Sequence, residues 1–213
     1  VAIAERLYGS VSKCVRQMNA KAESLGLKNT LYANVTGLPA PMQYSSAKDV
    51  AIIFSNLIKH EKYFDYSGIW LDKIAHTKSG EEGETEIANT NKLVRFYEGC
   101  DGGKTGFTSE AGFCLTATAK RGNMRLVSVV INAPSSKERF GDSSKMLTYG
   151  FNNFYNNAVV DKSVPLDRAV NVRGGKTATV EVVPENNFYI FSRRGEKDKV
   201  ETELNLNERV SAP

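Results

Sequence analysis

Cysteine, histidine and tryptophan are scarce, with three, two and one copies in 213 residues. An odd number of cysteines, with no CxxC pair and no histidine at ligand spacing, supports neither a disulfide framework nor a zinc site. Cys14, Cys100 and Cys114 are therefore expected as small buried apolar side chains. His60 and His76 lack partners for a metal or a Ser-His-Asp arrangement and read as structural or surface residues. Long apolar runs are also missing. The longest, residues 126–131, is short and broken by Ser128, whereas a membrane-spanning helix needs roughly 18 residues. Nor does one sign of charge dominate: 28 basic and 24 acidic residues leave a net +4. These charges are interspersed, so no stripe is available to track a phosphate backbone, and nucleic-acid binding is not expected.

What is present is enough apolar material, 41%, for the core of one large domain or of one and a half. Ser10 is placed to cap a helix whose apolar positions Val11, Cys14, Val15, Met18 and Ala22 follow three-and-four spacing, with Gly26 as its stop. Ser46 and Asp49 form a capping pair for a second helix bearing Val50, Ile53, Phe54 and Leu57. From Ile69 the texture changes to short extended pieces, residues 70–76 and 85–88, separated by the turn-rich SGEEGE. Residues 112–120 and 124–131, joined by Arg121, Gly122 and Asn123, read as an antiparallel hairpin. Asp142 is expected to cap a third helix with Met146, Leu147, Phe151 and Phe154 on one face. This mixture predicts an α+β domain. After about Asn157 the pattern becomes Val-rich alternation at Val170, Val172, Val180 and Val182, which predicts a second, all-β module that includes a strand-like stretch at 199–206. Tyr63, Phe64, Tyr66 and Trp70 read as core or interdomain packing.

The sharpest chemical signal is Asp101-Gly102-Gly103-Lys104-Thr105-Gly106, just ahead of the hairpin. Glycine flanks let another backbone approach a strand closely, while a Lys and a hydroxyl offer a charge and a donor to a carboxylate. Around it stand GLKNT (26–30), GL (37–38), YSSAKDVA (44–51), NTNKL (89–93), SEAG (109–112) and MRLVSVV (124–130), in that order. This succession resembles the low-molecular-mass penicillin-binding proteins, the serine D-alanyl-D-alanine carboxypeptidases, over nearly the whole chain. The resemblance implies a penicillin-binding/β-lactamase-like α+β domain over residues 1–157. Residues 158–213 would begin the family's β-rich C-terminal domain.

That family uses SxxK, SxN and KTG motifs. Ser10-Val11-Ser12-Lys13 spells SxxK, but the QMNAKAESLGLKNT stretch right behind it follows SxN in the family, so Ser10 is read as a helix cap. The resemblance then implies that the nucleophile and SxN lie upstream of Val1, that the chain is a fragment, and that it is inactive by itself. Lys104 would be catalytic. Thr105 would donate to the substrate carboxylate, Gly106 would keep the strand surface bare, and the N–H of Phe107 would be an oxyanion donor. Arg139 would pair with the same carboxylate, the competing reading being a solvated loop charge beside Lys137 and Glu138. Thr90 stands where some relatives carry Arg, and Phe107 where some carry His. No cofactor or metal is implied. The implied partners are peptidoglycan stem peptides ending in D-Ala-D-Ala and β-lactams, met after export at the extracytoplasmic face of the bacterial cell membrane or in the periplasm, with membrane attachment, if any, only through C-terminal residues beyond Pro213. A non-catalytic peptidoglycan-binding relative is the alternative. A β-lactamase fits less well, since it has no β-rich second module.

Overall fold

Local capping sets the first elements. In the computed structural model, which describes residues 1–78, 81–196, 199–206 and 209–211, helix α1 spans Ala2–Tyr8 and α2 spans Val11–Ser24. Ser10 accepts the backbone N–H of Lys13 at 3.2 Å, filling one of the orphan donors at the start of α2. Beyond Ser24 the chain reverses at Gly26, whose φ of 72° suits a residue without Cβ. Ser46 caps α3 (Ala47–Leu57) in the same way, accepting from Asp49 N. Asp49, 3% exposed, turns its carboxylate back to the Asn29 N–H (2.8 Å) and the Thr30 hydroxyl (2.9 Å). A buried carboxylate needs such donors, and these two fasten the loop after α2 to α3.

A 3-10 turn, Glu61–Tyr63, leads into the single-turn α4 (Phe64–Ser67). The extended pieces then form an antiparallel ribbon of β1 (Leu71–Lys78) and β2 (Glu81–Ala88). Ser79 and Gly80 of the expected turn lie outside the described residues. His76 hydrogen-bonds Thr85 across this ribbon at 2.8 Å. After the short α5 (Leu93–Phe96), β3 (Cys100–Thr108), β4 (Gly112–Arg121) and β5 (Met124–Ala133) build an antiparallel sheet in that order. The expected hairpin is its β4–β5 pair. Ala117, Thr118 and Ala119 of the central β4 are each fully buried, so both of its faces are covered.

Helix α6 runs Ser136–Asn153 and lies against β5 through a buried Ser128–Ser143 hydroxyl pair at 2.6 Å. It starts well ahead of Asp142, which corrects the sequence expectation. Ser135 accepts from Glu138 N (3.1 Å) and donates to the Glu138 carboxylate (2.9 Å), a reciprocal cap. Asp142 instead takes Lys145 as an exposed i,i+3 partner. At its other end the helix stops before Phe154, which opens β6 (Phe154–Val160) and stacks on Phe191 at 5.0 Å.

The chain divides into two compact units, Val1–Gly150 and Phe151–Pro213. In the second, β6 pairs antiparallel with β9 (Phe188–Arg193). A separate sheet places β7 (Ala169–Arg173) between the antiparallel β8 (Thr179–Glu181) and the parallel β10 (Arg209–Ser211). Residues 199–206 carry no strand.

Candidate active site

Strand β3 is the edge of its sheet, and two glycines determine how it begins. Gly103 has φ +142°, and a Cβ there would overlap the Thr116 carbonyl oxygen and crowd Ala117 Cα at 2.9 Å. A Cβ on Gly102 would sit 2.8 Å from the Tyr63 ring and 2.9 Å from Ser67 Oγ. Both positions therefore require glycine. With the side chains gone, three groups clasp the start of the strand. The Tyr63 hydroxyl accepts the Gly103 N–H (2.9 Å), Ser67 donates to the Asp101 carbonyl (2.7 Å) and Asn91 Nδ2 donates to the Gly102 carbonyl (3.2 Å). Asn91 is 1% exposed, and its oxygen accepts from Leu93 N. Burial raises the Tyr63 phenol above its ordinary range, against the opposing pull of the Gly103 N–H, so it remains a neutral acceptor.

Beyond the clasp, Lys104 to Thr108 have β4 on one side and, among the described residues, no strand on the other. Lys104 is exposed, its Nζ 2.5 Å from the Thr105 carbonyl, and it makes no ion pair among the described residues. The Thr105 hydroxyl donates to that of Thr90 at 2.9 Å. Gly106 pairs with Cys114, Phe107 with Phe113, and the two rings lie 4.4 Å apart. Phe107 remains 58% exposed. Just before the motif, Arg125 grips Asp101 with two 2.7 Å bonds and covers the Phe64 ring at 4.2 Å. That fork neutralises the carboxylate nearest Lys104 in sequence.

Arg139 is buried in the first turn of α6, at 9% exposure, and so is not a solvated charge. Its Nη1 donates to the carbonyls of Gly106 (3.2 Å) and Cys114 (3.3 Å), and Nη2 to Ser136 Oγ. Nε is buried without a partner among the described residues. One guanidinium nitrogen reaching both carbonyls of a rung places those carbonyls between the strands. By the alternation of antiparallel ladders, the Phe107 N–H on the next rung then faces the open edge. Lys104, Thr105, Gly106, Phe107 and Arg139 are thus brought together around one stretch of β3.

Sequence reading missed the clasp, because Tyr63, Ser67 and Asn91 meet β3 only through tertiary structure. It also passed over a second SxxK spelling, Ser45-Ser46-Ala47-Lys48. Neither SxxK serine is poised as a nucleophile. Ser10 caps α2, and Ser45 Oγ pairs with Thr30 Oγ1 at 2.9 Å. Cys100 is no substitute, since burial pushes its thiol pKa up and favours the unreactive protonated form. The 213-residue polypeptide incubated with a penicillin is therefore expected to show no covalent adduct on Ser10 or Ser45 by intact mass and peptide mapping. A stoichiometric adduct on either would reverse this assignment.

Comparison with known proteins agrees with this geometry. Residues 1–135 match the family model described as D-alanyl-D-alanine carboxypeptidase, and residues 154–213 match that of the penicillin-binding protein 5 C-terminal domain. The chain is 38% identical over 214 residues to the D-alanyl-D-alanine carboxypeptidase DacF of Bacillus subtilis, covering 100% of this chain and 54% of that protein. To DacD of Escherichia coli it is 32% identical over 218 residues, again with 100% of this chain and 53% of the relative. Among solved structures, penicillin binding protein 5 from Haemophilus influenzae superposes with a TM-score of 0.71 at 32% identity, over 100% of this chain and 60% of that one. The chain spans about half the length of the curated relatives it matches. A KTG edge strand backed by α6, within a match that runs from the first helix to the β-rich second unit, shows that this chain belongs to the D-alanyl-D-alanine carboxypeptidase family of low-molecular-mass penicillin-binding proteins.

Proposed function

We propose that the protein carrying this chain is a serine-type D-alanyl-D-alanine carboxypeptidase. It removes the terminal D-alanine from peptidoglycan stem peptides through an acyl-enzyme, and β-lactams acylate it for the same geometric reason. The supporting observation is the open edge of β3, where an exposed ammonium, a positioned threonine hydroxyl and an outward N–H follow one another at Lys104, Thr105 and Phe107. In this reading the scissile peptide lies antiparallel along that edge. Lys104 supports proton transfer and the field at the reacting centre, and Thr105 turns its hydroxyl proton from Thr90 to the terminal carboxylate. The Phe107 N–H faces the developing oxyanion, and a donor of that kind is worth about 3 kcal/mol. Gly106 leaves room for the substrate backbone. Arg139 contributes its charge from behind the Gly106–Cys114 rung, whose carbonyls it holds. A peptidoglycan substrate implies an exported protein that acts at the extracytoplasmic face of the bacterial cell membrane or in the periplasm.

The test is release of free D-alanine. The full-length protein is expected to liberate it from an N-acylated peptide ending in D-Ala-D-Ala and to leave the matched C-terminal amide nearly untouched. Binding of that peptide without any release would favour a non-catalytic binding protein instead.

A further inference from the structure

Lys104 follows a stretch of backbone with little stiffness of its own. The β3–β4 register shifts between Cys100 and Gly102, which makes Asp101 a bulge, and two consecutive glycines separate that bulge from the lysine. A bulge bends its strand and re-aims the side chains beside it. Glycine gives up more conformational freedom on ordering than any other residue. An ammonium on such a tether keeps one direction only if something outside the strand fixes the backbone.

Side chains from two other segments supply that constraint. Tyr63 and Asn91 hold opposite sides of a single peptide group, the one that joins Gly102 to Gly103. The Tyr63 hydroxyl accepts its N–H at 2.9 Å, and Asn91 Nδ2 donates to its carbonyl at 3.2 Å. The N–H and C=O of a trans peptide point in opposite directions, so the two bonds together resist rotation of its plane. One residue earlier, Ser67 holds the Asp101 carbonyl and Arg125 its carboxylate. The anchors are themselves held. The Tyr63 ring meets Phe54 and Phe64 edge-on, at centroid distances of 5.9 and 5.2 Å. Asn89 ties the two arms together, its Oδ1 accepting the Asn91 N–H at 2.9 Å and its Nδ2 donating to the carbonyls of Ser67 (3.1 Å) and Ile69 (3.0 Å). Residues 63–69 and 89–93 thus form one frame around the glycine pair.

The frame ends at Gly103, and farther along β3 the ladder to β4 and the Arg139 guanidinium hold the strand instead. The functional side chain next to the frame is that of Lys104. We propose that Tyr63 is a positioning residue for Lys104. With Asn91 as the opposing anchor, it locks the Gly102–Gly103 peptide and thereby the direction in which the lysine leaves the strand. Its effect falls on the acylation step rather than on binding. A misplacement of about 1 Å can cost a reacting group about 100-fold in rate, whereas Thr105 and Phe107 lie beyond the frame. This rests on the reading of Lys104 as catalytic.

The experiment follows acylation of the full-length protein by a penicillin and separates the rate constant of the covalent step from the dissociation constant of the complex that precedes it. Tyr63→Phe keeps the ring packing and removes the acceptor alone. It is expected to lower the acylation rate constant roughly five- to twentyfold, with the dissociation constant within about twofold of wild type. In a Lys104→Ala background the same substitution should change the rate constant by less than about twofold, because a residue that acts through the ammonium then has nothing to aim. Ser10→Ala is the control. It removes the α2 cap, a loss of stability of the same order as one hydrogen bond, and should be acylated at the wild-type rate. A Tyr63→Phe rate constant within about twofold of wild type, or an equal loss with and without Lys104, overturns the positioning role. So does a Ser10→Ala loss as large as that of Tyr63→Phe, which would trace the effect to stability. A wild-type protein that penicillin does not acylate overturns the carboxypeptidase reading and the positioning role with it.

Discussion

Gly103→Ala is expected to lower the unfolding free energy of the 213-residue chain by about 3–5 kcal/mol, at the severe end of single-substitution effects. Two costs combine. A φ of +142° is one that an alanine rarely adopts, and the new methyl would overlap the Thr116 carbonyl oxygen. The obstacles are backbone atoms of the neighbouring strand, so relief requires opening the β3–β4 ladder where Lys104 pairs with Thr116. The Gly103 N–H would then also leave the Tyr63 hydroxyl, and Asn91 Nδ2 would be pushed from its place 2.8 Å from the new Cβ. Gly106→Ala is the control, because its Cβ would meet only Cys114 Cβ at 3.9 Å, and its stability should stay within about 1 kcal/mol of wild type. Denaturant midpoints for the three proteins at equal slope decide the matter. A Gly103→Ala midpoint equal to that of Gly106→Ala would mean that the strand tolerates a side chain where the geometry forbids one.

The second large effect is on chemistry with stability held constant. Lys104→Ala in the full-length protein is expected to slow acylation, by peptide or β-lactam, about 10²- to 10³-fold, the loss typical of one preorganised charge or donor at the reacting centre. Lys104 is exposed and makes no ion pair among the described residues. Its removal should therefore change stability by no more than about 0.5 kcal/mol. Thr105→Val should behave differently. It keeps the shape and loses the bond to Thr90, so its defect should fall on substrates with a free carboxylate more than on those without one.

Features decided within a few residues were legible in the sequence. Ser10 and Ser46 cap where their spacing to Lys13 and Asp49 says they should. The 112–120 and 124–131 alternation closes into the β4–β5 hairpin. The start of α6 was legible in principle, since Ser135-Ser136-Lys137-Glu138 spells a capping box. Apolar spacing failed there because the first turns of that helix are polar and face Gly106 and Cys114 through Arg139. Phe154 kept the helical spacing yet belongs to β6, where stacking on Phe191 outweighs the local pattern. Residues 199–206 alternate like a strand but carry none, which shows that alternation without a paired neighbour is not enough. In the candidate site, the motif from Asp101 to Gly106 was visible, whereas the reason for its double glycine was not. That reason is the backbone of β4 and a buried asparagine against Gly103, and a tyrosine and a serine from the segment 63–67 against Gly102.

The measurement that bears most directly on the open edge of β3 as the substrate side of the active site is the second-order rate constant for acylation by a penicillin. It should be taken on the full-length wild type and Lys104→Ala, with denaturant midpoints recorded on the same samples. The predicted result is a fall of at least about 100-fold with unchanged midpoints. An acylation rate within about twofold of wild type, in a folded Lys104→Ala protein, would contradict it.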